Sequence, residues 1–224
     1  MTETLILNTL EKNTMALNNF IGASPTEAEN QLNVLSMDKY IVPIFGQAQQ
    51  GCGFFVGNYF ITGYHVIEEY EKPLYIWFDS KKYVLDKNKA IKTSCSRTNS
   101  DFAVFSFEKI DSPLELADYE PAFGQMLHCI TYDTIVAKNS KPNLLDIFAK
   151  TDHVEKKSTS VVVREEKQGD FFACDTESVL REGNSGCPVL DTNNKIVGLL
   201  VGGTDVAECC IFQSTKPIRN ILNL

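Results

Sequence analysis

Three stretches of this chain combine residue types suited to nucleophilic chemistry. The first is Glu182-Gly183-Asn184-Ser185-Gly186-Cys187-Pro188, a serine flanked by glycines and followed by the apolar run Ile196-Val197-Gly198-Leu199-Leu200-Val201-Gly202-Gly203. Glycines let the backbone turn tightly, so that amide hydrogens near the serine can converge on an oxygen that becomes negative in a tetrahedral intermediate. Gly183 and Ser185 are the candidate donors. A hydroxyl is a weak nucleophile and needs a base. The second stretch supplies one: Gly51-Cys52-Gly53-Phe54-Phe55-Val56, then Ile61-Thr62-Gly63-Tyr64-His65-Val66. In the third, Ser100-Asp101-Phe102-Ala103-Val104, an acid enters an apolar strand. Such a carboxylate can orient an imidazole and stabilise its protonated form. The chemistry expected of the set is acyl transfer, with His65, Asp101 and Ser185 in catalytic roles.

Each stretch alone has a plainer explanation. A Gly-Asn-Ser-Gly segment can be only a tight loop, His65 sits among aromatic residues, and Asp101 has competitors in Asp79, Asp86 and Asp111. Their conjunction favours the chemical reading. His128 and His153 lack such surroundings and read as strand or loop residues. Cys52 and Cys187 read as small core fillers, and Glu165-Glu166-Lys167 as a solvated turn.

The elements that must position these residues are short and β-branched or aromatic. Strands are expected at Tyr40 to Phe45, Gly53 to Val56, Tyr59 to Thr62, Leu74 to Phe78 and Phe102 to Phe107. A second set is expected at Met126 to Tyr132, Leu144 to Ala149, Thr159 to Val163, Phe171 to Cys174, Pro188 to Leu190, Ile196 to Val201 and Cys209 to Gln213. Turn signals separate the second set at Asn139 to Asn143, Gln168 to Asp170 and Asp191 to Lys195. Many short strands with few credible helices indicate an all-β sandwich or barrel. Residues 1–37 read as an N-terminal extension, 38–112 as a first barrel, 113–125 as a linker, and 126–224 as a second barrel closed by a short helix begun at Pro217.

The 224 residues carry a net charge of −8 and a pI near 5.0. Phosphate binding is driven by clustered Lys and Arg, so nucleic acid is not the expected partner. The apolar runs are far shorter than the roughly 20 residues of a spanning helix, so a soluble protein without a membrane span is expected. The first twenty residues carry Glu3 and Glu11 and no continuous apolar core, so a cytoplasmic location is expected. Seven cysteines, at 52, 95, 129, 174, 187, 209 and 210, form no Cys-x-x-Cys pair, and free thiols are the simpler expectation. Neither metal nor organic cofactor is called for.

The chain order His, Asp, Ser is that of chymotrypsin and differs from the subtilisin and α/β-hydrolase orders. With Gly-x-Ser-Gly-x-Pro at 183–188, Val-Gly-x-x-x-Gly at 197–202, Thr-x-x-His at 62–65 and Asp-x-Ala-Val at 101–104, Lys39 to Leu224 resembles the trypsin/chymotrypsin superfamily. That superfamily includes HtrA-type proteases and the proteases of positive-strand RNA viruses. The resemblance implies two six-stranded antiparallel β-barrels with the triad in the cleft between them, Gly183 and Ser185 amides as oxyanion donors, and a peptide or protein substrate. It also implies a substrate pocket with Val179 at its base, neighbouring Leu180, and Val201, Gly202 and Gly203 along its far wall. No acid lies among these, so an apolar residue before the scissile bond is expected rather than Lys or Arg.

Two departures are informative. Asn184 stands where secreted trypsins have the Asp that pairs with a new N-terminus, and Cys187 replaces the second Gly after the serine, as in some calicivirus-type proteases, whose nucleophile is Cys. Three readings follow: a serine endopeptidase, a viral polyprotein-processing protease, and an inactive two-barrel scaffold that binds peptides.

Overall fold

Alternation of apolar residues with polar ones, broken by glycines and charged turns, builds antiparallel strands throughout. A computed structural model describes residues 37–46, 49–68, 70, 71, 73–96, 100–134, 154–177, 180, 183–203 and 209–224. The strands of the first half are β1 (Ile41–Phe45), β2 (Gln49–Val56), β3 (Tyr59–Thr62), β4 (Leu74–Phe78), β5 (Lys81–Leu85), β6 (Lys92–Ser96) and β7 (Ser100–Ser106). They form one curled seven-stranded sheet in the order β5-β4-β1-β2-β3-β7-β6. Phe55 anchors its core, its ring 4.9 Å from Phe60, 5.0 Å from Phe78 and 5.8 Å from Phe107.

The second half is a closed barrel of β8 (Met126–Thr134), β9 (Val154–Gln168), β10 (Phe171–Thr176), β11 (Pro188–Leu190), β12 (Ile196–Gly203) and β13 (Cys209–Ser214), in the order β10-β13-β12-β11-β8-β9. Its core gathers Leu127, Val161, Val189, Val197, Leu200 and Phe212, all buried. Cys52 packs into this core too, although it belongs to β2 of the first sheet. The chain ends in a helix at Lys216–Leu222, with Pro217 in its first turn and Asn223 left-handed at its C-cap. Among the described residues no helix is long and apolar enough to cross a membrane.

The all-β, chymotrypsin-like architecture matches expectation, with one change. Among the described residues the first half holds seven strands, and its terminal strands β5 and β6 do not pair to close it. These two were invisible to periodicity because they carry Lys81, Lys82, Lys92 and Thr93, polar residues of edge strands. Strand β9 is also longer than its apolar stretch. Glu165, Glu166 and Lys167, expected in a turn, lie on β9 and are exposed. They are carried there by pairing with β10, where Arg164 meets Asp175 and the Lys167 ammonium lies 4.6 Å from the Phe172 ring centroid.

The segment read as a linker is docked rather than loose. Leu114 and Ala117 are buried, and Leu116 forms a parallel bridge to Ile196. The expected strand at Leu144 to Ala149, the turn at Asn139 to Asn143 and residues 1–36 of the extension lie outside the described residues.

Candidate active site

β3 ends at Thr62 opposite Ala103, and the chain then turns into a single helical turn at His65–Glu68, with Ile67 and Glu68 amides both donating to the Tyr64 carbonyl at 2.9 Å. β7 runs three residues further back, through Phe102 and Asp101 to Ser100, and so places Asp101 beside this turn. The His65 backbone N–H donates to Asp101 Oδ1 at 2.9 Å, and His65 Nδ1 is hydrogen-bonded to Oδ2, where an ionised carboxylate can only accept. The carboxylate holds ring and backbone of the same residue. With Nδ1 the hydrogen donor, Nε2 of the neutral imidazole carries the lone pair. The His65 side chain is 39% exposed and that of Asp101 16%, so the ring is reachable while the carboxylate beside it is shielded.

Ser185 sits in a turn that only its glycines permit. Gly183 adopts φ +91° and Gly186 φ +84°, in the region that side chains with a Cβ avoid. A Cβ on Gly186 would also run into the Cys52 carbonyl. The Gly186 amide donates to the Leu200 carbonyl at 2.7 Å and the Leu200 amide to the Cys187 carbonyl at 2.8 Å, which ties the turn to β12. Asn184, 3% exposed, donates from Nδ2 to the Tyr132 carbonyl at 3.0 Å. The Tyr132 hydroxyl in turn donates to the Ile41 carbonyl at 2.6 Å.

The Ser185 turn meets the first sheet at β2. The Cys52 amide donates to the Ser185 carbonyl at 2.7 Å, and Thr62 Oγ1 donates to the Cys52 carbonyl at 2.6 Å. A Cβ at Gly51 would stand 2.9 Å from the Ser185 carbonyl oxygen and 2.7 Å from Val66 Cγ1. Ser185 and the residue following His65 therefore press on the same point of β2. Among the described residues the imidazole's hydrogen bond is to Asp101, and the Ser185 hydroxyl makes none to it. Such contacts often tighten only around substrate.

Of the expected substrate-binding residues, Leu180 and Gly203 come together: a Cβ on Gly203 would be 3.1 Å from the Leu180 carbonyl oxygen. Gly202 faces open space, and a register shift between Leu200 and Gly202 leaves Val201 in a bulge. Val179 and His153 lie outside the described residues. His128 is on β8 opposite Leu190, where burial lowers its pKa and nearby Asp191 partly offsets this.

One residue at this site escaped sequence reasoning. Gln213, on β13 and fully buried, accepts the Asp101 backbone N–H with Oε1. The only signal in the sequence is an amide side chain between Phe212 and the strand end, a place where an apolar residue would ordinarily pack.

The six cysteines with described side chains all carry free thiols, and Cys187 is wholly buried. Burial, then its hydrogen bond with Cys52, pushes the Cys187 thiol well above its ordinary value. A thiol so disposed is a poor nucleophile.

Residues 51–199 match the trypsin-like peptidase domain family. The chain belongs to that family, as a protease of the chymotrypsin fold. No curated protein matches it in sequence. Solved structures repeat the fold. The Rv3671c protease from M. tuberculosis in its active form superposes with a TM-score of 0.60 at 17% identity, over 89% of this chain and 86% of that one. The tobacco etch virus protease gives 0.58 at 13% identity, over 82% and 77%. The serine endoprotease from Yersinia pestis gives 0.58 at 15% identity, over 85% and 64%.

Proposed function

We propose that this protease is a serine endopeptidase in which Ser185 is the nucleophile, His65 the general base and Asp101 the group that orients the imidazole. Ser185 Oγ attacks the scissile carbonyl carbon while its proton passes to His65 Nε2. The resulting oxyanion is held by the Gly183 and Ser185 amides. His65 then returns that proton to the departing amine as the peptide bond breaks, and water hydrolyses the acyl-enzyme by the same route.

The observation that carries this reading is the double hold of Asp101 on His65, which leaves the unprotonated Nε2 for proton abstraction. The burial of Cys187 favours serine over a nearby thiol as the nucleophile. Leu180 beside Gly203 supports an apolar residue before the scissile bond, and the edge of Val201 to Gly203 suits substrate that pairs by strand addition.

The test is peptide hydrolysis and fluorophosphonate labelling by the parent protein and by Ser185→Ala. The parent is expected to cleave peptides and take the label, and the variant to do neither. Equal cleavage by both would remove Ser185 as the nucleophile, and a parent that neither cleaves nor labels would return the molecule to the inactive peptide-binding scaffold.

The viral polyprotein-processing reading draws on the likeness to the tobacco etch virus protease and on Cys187. Cleavage of a longer precursor at this chain's own junctions distinguishes it.

A further inference from the structure

Asp101 is fixed at its carboxylate by the residue it orients, but its backbone is fixed from elsewhere. Thr62 pairs with Ala103 as the last residue of β3, so on that side β7 has outrun its neighbour by the time it reaches Asp101, while on the other side it still pairs with Cys95 of β6. The Asp101 N–H is instead taken by Oε1 of Gln213, a residue 112 positions away on β13 of the closed barrel. Gln213 is 0% exposed. Its position is confined from both sides: its backbone pairs with Phe171 on β10 and with Leu199 on β12.

The side-chain amide has a second end, Nε2, which is buried and has no hydrogen-bond partner among the described residues. A buried amide donor without a partner is costly, and an apolar side chain at this point would avoid the cost. Packing therefore does not account for the glutamine. The contact with Asp101 does, because it joins the strand carrying the acid to the barrel carrying Ser185. Leu200, which follows the β12 partner Leu199 and pairs with Phe212, accepts the Gly186 amide of the Ser185 turn with its carbonyl.

Resting on the triad reading above, we infer that Gln213 is a positioning residue for the Asp101–His65 pair, a buried strut that references the acid and base of the first sheet to the nucleophile of the second barrel. It touches no reacting atom. Its effect is on how well His65 is aimed, and so on turnover rather than on substrate affinity.

Gln213→Met keeps the volume and removes the acceptor. It is expected to lower kcat about tenfold with KM within about twofold of the parent, since small misplacements of a catalytic group are felt mainly in the rate. The Asp101 amide, followed by ¹⁵N–¹H NMR, is expected to exchange with solvent at least about tenfold faster. Gln213→Glu, which restores an acceptor oxygen at the same reach, is expected to recover most of the turnover and protection. Should Gln213→Met not fold, Gln213→Asn, with its amide drawn back by one methylene, carries the same expectations.

Parental kcat and parental Asp101 exchange in Gln213→Met, or in Gln213→Asn in its place, would overturn the assignment, as would a loss confined to KM. Exchange at Asp101 is read without turnover. A parent that cleaves nothing therefore sinks the triad reading, while unchanged exchange sinks the strut.

Discussion

The Ser185 carbonyl and the Cys52 amide are joined by a hydrogen bond of 2.7 Å, and one residue further on Gly186 lies against the Cys52 carbonyl. The Ser185 turn thus rests on β2 of the opposite sheet through two consecutive residues. The Cys52 carbonyl is occupied as well by the Thr62 hydroxyl, so the contact has little room to yield.

Gly186→Ala is therefore expected to be severe. The new methyl group meets backbone rather than a movable side chain, and the residue must hold φ +84°. A loss of about 2–4 kcal/mol in stability is expected from strain and steric conflict together, read as a lowered urea midpoint, with peptidase activity falling in the protein that remains folded.

Asp101→Asn separates geometry from electrostatics. The amide oxygen can still accept the His65 N–H, but the NH₂ group now faces Nδ1, which must become an acceptor and send the ring hydrogen to Nε2. The rate is expected to fall by about 10³–10⁴ in kcat with KM nearly unchanged, while the thermal midpoint stays close to that of the parent.

Asn184→Asp tests how the turn is held. Asn184 donates to the Tyr132 carbonyl from a site 3% exposed. A carboxylate there would oppose that carbonyl and resist ionising, so its folded pKa would lie above its unfolded value. Such a group stabilises below the unfolded value and destabilises as pH rises through the folded one. The variant is expected to match the parent near pH 4 and to be less stable by about 2–3 kcal/mol at neutral pH, measured by chemical denaturation across that range.

Lys156 supplies a pH dependence of opposite sense. On β9 opposite Tyr132, it is half-buried, and desolvation lowers it from 10.5 to about 8. The unfolded chain holds more protons between those values, so the Lys156 contribution to stability rises with pH from about 8 to 10.5. Lys156→Met is expected to stabilise the protein by about 1 kcal/mol at pH 7, allowing for the water that still reaches the side chain. The gain should narrow as pH approaches 10, seen as converging thermal midpoints.

Much of this molecule was readable before its fold. Tyr59–Thr62, Leu74–Phe78 and Pro188–Leu190 stand where β-branched and aromatic runs place them, because buried strands of both halves must be apolar. The polar edges β5 and β6 and the charged ends of β9 were not readable, since solvent-facing strand residues share their composition with turns. At the site, His65 and Asp101 meet as their flanking motifs imply. Gln213 was hidden because its meaning depends on a partner 112 residues away. A single amide in a strand carries no local sign of which backbone it will reach.

The failure of the first sheet to close has a consequence for the molecule in a crowded solution. A barrel consumes its own edges, whereas an open sheet offers unpaired backbone to any extended chain that drifts past. Here one rim carries Lys81 and Lys82, both exposed, and the other begins with Lys92 and Thr93, also exposed. Another strand could add to either rim only by stripping water from these ammonium groups. The two open rims of this protease are thus guarded by charge against the addition of a further strand.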